Sequence, residues 1–131
     1  MITAFHHIGC LVENIDIAVA DYKILCPELI VSDVYDIEDQ LVKVAFVNIG
    51  NTHIEFVEPY TTNTTLVKLL SKKPGYYHIG IFTDNIDDEI ARLEENGYRF
   101  INKFRSMAFN NRFCAFLYNQ EYHLIELIEK E

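Results

Sequence analysis

The chain has 131 residues and a mass of 15.3 kDa, which fits one compact domain or two small modules sharing a core. Half of its residues are hydrophobic, 13% are aromatic and 24% are charged, so it reads as a globular protein and not a disordered one. Its net charge of -9 excludes the basic footprint that nucleic acid or an anionic membrane surface requires, and leaves room for a small anionic substrate only beside a local cation.

Taken in chain order, the N-terminal stretch lacks the basic region of a signal peptide, and no apolar run approaches a membrane span, so a soluble cytoplasmic chain is expected. FHHIGCLV reads as a strand. Asn14 or Asp16 then caps a helix over IDIAVADYKIL, with an apolar stripe at Ile15, Val19 and Tyr22. Strands follow at about 29–37, 41–48 and 53–58, with a hairpin turn at GNT, 50–52. TTLVKLLSKK, 64–73, reads as a linker helix that Pro74-Gly75 closes. YYHIGIFT starts a second cycle. Asn85 or Asp87 caps a helix carrying Ile86, Ile90 and Leu93, and Gly97 after Asn96 suits its C-terminal end. Strands at about 98–106, 112–118 and 122–129 complete it, with a glycine-free turn at NQE, 119–121. Cys10, Cys26 and Cys114 form no CxxC pair and read as buried free thiols.

The two cycles are copies. HIGCLVENIDIAVA at 7–20 and HIGIFTDNIDDEIA at 78–91 share seven of 14 positions, and IEFVE at 54–58 matches IELIE at 125–129. Both matches fall at one offset of 71 positions, as do Asn48 and Asn119. The fold class is therefore α+β, with two tandem βαβββ modules expected to form a bent mixed sheet around a cleft. The chain divides into module one at about 4–60, a linker helix at about 61–74 and module two at about 75–131, within a single domain spanning 1–131.

Four repeated polar residues stand in apolar strands: His7 and His78, Glu55 and Glu126. Strand alternation sets Glu126 in a row with Leu124 and Ile128, and Glu55 in a row with His53 and Val57. A carboxylate in an apolar row is costly unless a cation or partner meets it. Two histidines and two carboxylates related by a pseudo-twofold make an N2O2 donor set for one borderline divalent ion. Glu58 and Glu129 also repeat, but on the opposite parity, and read as solvated. His6 and His123 have no counterpart and are expected to point away from the site, whereas His53 shares the parity of Glu55. Lys72, Lys73, Lys103, Arg105 and Arg112 read as surface cations, able in some cases to receive an anionic tail. No GxSxG or phosphate-binding glycine loop occurs, and no cysteine has the setting of a nucleophile.

Paired βαβββ modules carrying HIG and IE in each half resemble the vicinal oxygen chelate superfamily, which includes lactoylglutathione lyase, methylmalonyl-CoA epimerase, extradiol dioxygenases and drug-resistance proteins. FHHIGCLVENID at 5–16, EDQLVKVAFVNIGNTHIEFVEP at 38–59 and YHIGIFTDNIDDEIARLEENG at 77–97 resemble the epimerase branch most. The resemblance implies one divalent ion (Co, Ni, Zn or Mn) on His7, Glu55, His78 and Glu126. It implies an isomerase, epimerase or lyase that abstracts a proton next to a carbonyl. Glu126, Glu38 and Glu55 are the implied acid/base residues. Glu38 enters through Glu38-Asp39-Gln40, which matches the EEQ part of an epimerase EEQG stretch; Leu41 replaces its glycine. YNQEYHLIEL also lacks the glycine-bearing loop usual before the last motif. Two alternatives remain: a glyoxalase acting on a glutathione hemithioacetal, and a non-enzymatic drug-sequestering protein. An acyl-CoA or glutathione adduct is the implied small-molecule partner, and a homodimer the implied assembly.

Overall fold

The computed structural model describes residues 1–73 and 75–131, so the expected helix stop at Pro74 lies outside the described residues. The described residues form three α-helices and nine strands with mixed pairing, the α+β class that the repeat predicts. No helix among the described residues is long and apolar enough to cross a membrane. The chain separates into two compact units. The first unit is continuous, Ile8–Tyr77; the second joins Met1–His7 to His78–Glu131. Strands β1 (Ile2–Leu11) and β6 (Tyr76–Thr83) are each divided between the units.

In the first unit, α1 spans Ile15–Leu25, as the sequence predicts. Asn14 caps it by accepting from the Ile17 amide at 3.0 Å. Glu58 Oε1 accepts from the Ile15 amide at 2.9 Å, so this half-buried carboxylate is a helix cap and not the solvated group its parity suggested. The stripe Ile15, Val19 and Tyr22 packs on Ala45, Val47 and Phe56. Strands β4 (Val42–Ile49) and β5 (Thr52–Pro59) form a hairpin closed by Gly50 at φ 58.

The single strand expected at 29–37 is instead two short ones, β2 (Ile30–Val31) and β3 (Tyr35–Ile37). Ser32 explains the break. Its amide donates to the Phe46 carbonyl, but the returning Phe46 amide donates to Ser32 Oγ, each at 2.8 Å. A side chain thus replaces the main-chain acceptor, and the ladder stops there. A 3₁₀ turn, Glu38–Gln40, then leads into β4. Helix α2 spans Thr64–Leu70, three residues shorter than expected, with Lys73 in the left-handed region at φ 52.

In the second unit, α3 (Ile86–Glu95) is capped by Asn85, which accepts from the Asp88 amide at 3.0 Å. Gly97, at φ 88, follows its last turn. Ile86 and Leu93 pack on Ala115, Leu117, Ile125 and Leu127. The strands run in the order β6, β9 (Leu124–Glu129), β8 (Arg112–Tyr118), β7 (Arg99–Ser106). β6 and β9 are parallel; the other two pairs are antiparallel. β9 starts two residues later than expected because the turn consumes them. Tyr122 takes φ 65, and Asn119 Oδ1 accepts from the amides of Glu121 and His123. A second 3₁₀ turn, Met107–Phe109, precedes β8.

Candidate functional site

Three of the four repeated polar residues meet inside the second unit. Register sets Gly80 opposite Glu126, and Glu126 opposite Phe116, so the three lie in one row on one sheet face. His78 shares that face of β6 by alternation. The ring of His7 lies across Gly80, where a side-chain methyl would overlap it. The glycine of this HIG motif is therefore the floor on which the other copy's histidine rests.

His7 Nε2 and His78 Nε2 are 2.9 Å apart. Glu126 Oε1 lies 3.1 Å from the first and 3.3 Å from the second. All three residues are buried, with His7 at 0% exposure. Donors sharing one divalent ion at bond lengths of about 2.1 Å sit roughly 3.0–3.4 Å apart, whether at an octahedral edge or a tetrahedral one. The donor set and its spacing fit such an ion. Burial pushes the Glu126 carboxyl up, but His7 and His78 beside it outweigh burial and hold it down at about 2. Glu126 is thus an ionised carboxylate in an enclosed position.

Aromatic rings surround these groups. Phe116 meets His78 edge-on at 5.4 Å and stacks with Phe104 at 5.6 Å. Phe109, 5% exposed, stacks with His7 at 6.0 Å. The 3₁₀ turn bearing Phe109 is pinned by Arg112, whose Nε donates to the Phe109 carbonyl at 2.9 Å. Arg112 also donates to the Glu129 carbonyl at 3.3 Å, so it is not the simple surface cation expected, whereas Lys103 makes an exposed pair with Asp87 at 2.8 Å. None of the phenylalanines is polar or duplicated at the 71-residue offset, so the repeat gives no signal for them.

Glu55 is buried on β5 of the first unit, opposite Phe46. Burial, with the Glu55 charge added, pushes the Cys10 thiol up. His53 sits opposite Asn48, its Nδ1 2.5 Å from Asn48 Oδ1. Glu38 is exposed, in the first 3₁₀ turn. The expectation that Glu38 and Gln40 share a strand face fails, because residues 38–40 form a 3₁₀ turn between β3 and β4, closed by the Leu41 amide donating to the Glu38 carbonyl at 3.0 Å. His123 is exposed, as expected, but His6 is not turned away: its Nδ1 is 2.9 Å from His7 Nδ1.

The fold and this buried imidazole–carboxylate group define a class. The chain belongs to the Glyoxalase/Bleomycin resistance protein/Dioxygenase superfamily, whose family model matches residues 6–116. Among its relatives is the mitochondrial methylmalonyl-CoA epimerase of Bos taurus, 28% identical over 116 residues, 86% of this chain and 65% of that protein. The chain thus spans just under two thirds of that relative's length. A hypothetical protein from Bacillus halodurans has the same fold, with a TM-score of 0.82, 30% identity and coverage of 97% of this chain and 94% of that one. The methylmalonyl-CoA epimerase of Mycobacterium tuberculosis superposes with a TM-score of 0.85 over 99% of this chain and 89% of that one, at 23% identity.

Proposed function

We propose that the protein is a metal-dependent epimerase that moves the proton next to the carbonyl of an acyl thioester of the methylmalonyl-CoA type. The observation that carries this reading is the convergence of His7 Nε2, His78 Nε2 and Glu126 Oε1 within 2.9–3.3 Å of one another in a buried place. Glu55, the repeat partner of Glu126 and likewise buried, is proposed as the fourth ligand. A divalent cation held there would supply Lewis-acid polarisation of a carbonyl oxygen.

The chain's own groups supply the proton transfer. Glu126, already ionised, is one proposed base. Glu38 is proposed as the second, because epimerisation needs one base for each face of the α-carbon. Its exposure lets it exchange its proton with solvent between turnovers. Phe109 and Phe116 keep water from the imidazoles, which strengthens every charge interaction among them.

The test is solvent deuterium exchange. The metal-loaded protein is expected to wash deuterium into the α-position of methylmalonyl-CoA. Absence of exchange, together with conversion of methylglyoxal plus glutathione to a thioester, would replace this reading with the lyase one. Absence of both, with tight binding of a hydrophobic drug, would replace it with sequestration.

A further inference from the structure

Neighbouring strand residues point to opposite faces, yet the rings of His6 and His7 meet edge-on, 5.1 Å apart at 86°. Their Nδ1 atoms are 2.9 Å apart. The His6 ring is itself held by two phenylalanines, Phe82 and Phe109, each edge-on at 5.1 Å. On the other side of the His7 ring, Nε2 faces His78 Nε2 and Glu126 Oε1.

A neutral imidazole has one N–H and one lone pair, and the partner of one nitrogen decides the state of the other. Nε2 of His7 can offer its lone pair to a cation only if the proton resides on Nδ1. A buried Nδ1–H needs an acceptor. We infer that His6 is a positioning residue: its Nδ1 accepts the His7 Nδ1–H and so fixes the tautomer in which His7 Nε2 presents a lone pair for ligation. This assigns His6 the opposite tautomer, with its proton on Nε2. In the other arrangement a proton on His7 Nε2 would point at His78 and block the donor set. The inference rests on the proposed cation at His7 and deepens it, since ligands are oriented by the groups behind them.

Three measurements test it. Long-range proton–nitrogen spectra of the Zn²⁺-loaded protein are expected to show His7 protonated on Nδ1 and His6 on Nε2. Calorimetric titration with Zn²⁺ or Co²⁺ compares wild type with His6→Phe, which keeps a ring against Phe82 and Phe109 but removes the acceptor. Roughly 10- to 100-fold weaker binding is expected, the usual scale for a group behind a ligand. His6→Asn, whose Oδ1 can stand where Nδ1 stood, is expected to recover most of the loss. Unchanged affinity in His6→Phe, or a His7 proton on Nε2 in wild type, overturns the inference. If His6→Phe does not fold, the wild-type spectrum and His6→Asn decide it. A wild-type chain that takes up neither ion overturns the cation reading and this role of His6 with it, whereas normal uptake with unchanged affinity in His6→Phe overturns the role of His6 alone.

Discussion

The two units carry the same backbone device with opposite chemistry. In the first, the 3₁₀ turn Glu38–Gln40 ends in left-handed Leu41 (φ 55, ψ 46) and leads into β4. In the second, Met107–Phe109 ends in left-handed Asn110 (φ 54, ψ 41) and leads into β8. Asn63 anchors the first by donating to the Gln40 carbonyl at 3.0 Å; Arg112 anchors the second. One turn presents an exposed carboxylate and the other a buried phenyl ring against a histidine. Duplication has kept a main-chain geometry while the side chains took separate tasks: an acid open to water, and a cover that keeps water out.

The largest expected effects break this comparison at the groups the turns serve. His78→Ala is expected to lose most of the bound divalent ion, as measured by metal analysis after dialysis, because a missing donor leaves a position open. Stoichiometric metal in both His78→Ala and His7→Ala would remove the basis for the proposed centre. Glu38→Gln is expected to keep its metal and lower turnover on the true thioester substrate by roughly a hundredfold or more, the scale of a general base. Met107→Gln, in the corresponding turn, is expected to leave turnover near wild type. Similar losses in both would show that the turns had not diverged in this way.

Smaller effects sharpen it. Phe109→Ala removes a buried ring and is expected to destabilise by about 3–5 kcal/mol in chemical denaturation. Charge separates the two helices as well: α1 has one acid in its first turn, α3 has three, and Glu89 among these is buried. Arg92, 2.6 Å away, and the terminal ammonium, at 3.1 Å, hold the Glu89 carboxyl below its ordinary range despite its burial. A lowered carboxyl pKa stabilises the fold above the unfolded value of about 4.3, and the contribution fades as pH falls through the folded value. Glu89→Gln is therefore expected to cost about 1 kcal/mol at neutral pH, modest because Arg92 is half exposed, and to flatten the loss of stability in acid. An unchanged acid profile would remove Glu89 as a cause. The smallest effect is expected at the left-handed residues. Leu41→Gly relieves a side chain in that region and should stabilise by about 0.5–1 kcal/mol, whereas Asn110→Gly should change little, since asparagine tolerates it.

Features that repeat or alternate were legible in the sequence. The 71-residue offset picked out His7, His78 and Glu126 because a polar residue kept twice in an apolar strand must be met there by a partner or a cation. The span of α1 followed from its cap and stripe. The split between β2 and β3 was not legible, since Ser32 replaces a backbone acceptor only when Phe46 lies opposite. The lack of a counterpart in the other copy likewise misplaced His6, whose ring is turned toward His7 between Phe82 and Phe109. Glu58 was misread because parity says where a side chain starts, not which distant amide it reaches.

Division of β1 at His7 has a consequence for how the chain is made. Residues 8–77 are contiguous, so the first unit can close as soon as they leave the ribosome. The second needs residues 1–7 to wait for 78–131. Contacts so far apart in sequence are slow to form, and a partly emerged chain leaves unmatched strand edges in the meantime. Chains arrested before β9 are expected to show protease protection in 8–77 and none in 1–7. Early protection of 1–7 would mean that the first strand is held by something other than its final neighbours. On this view His7 is synthesised 71 residues before His78 and is among the last to find its place.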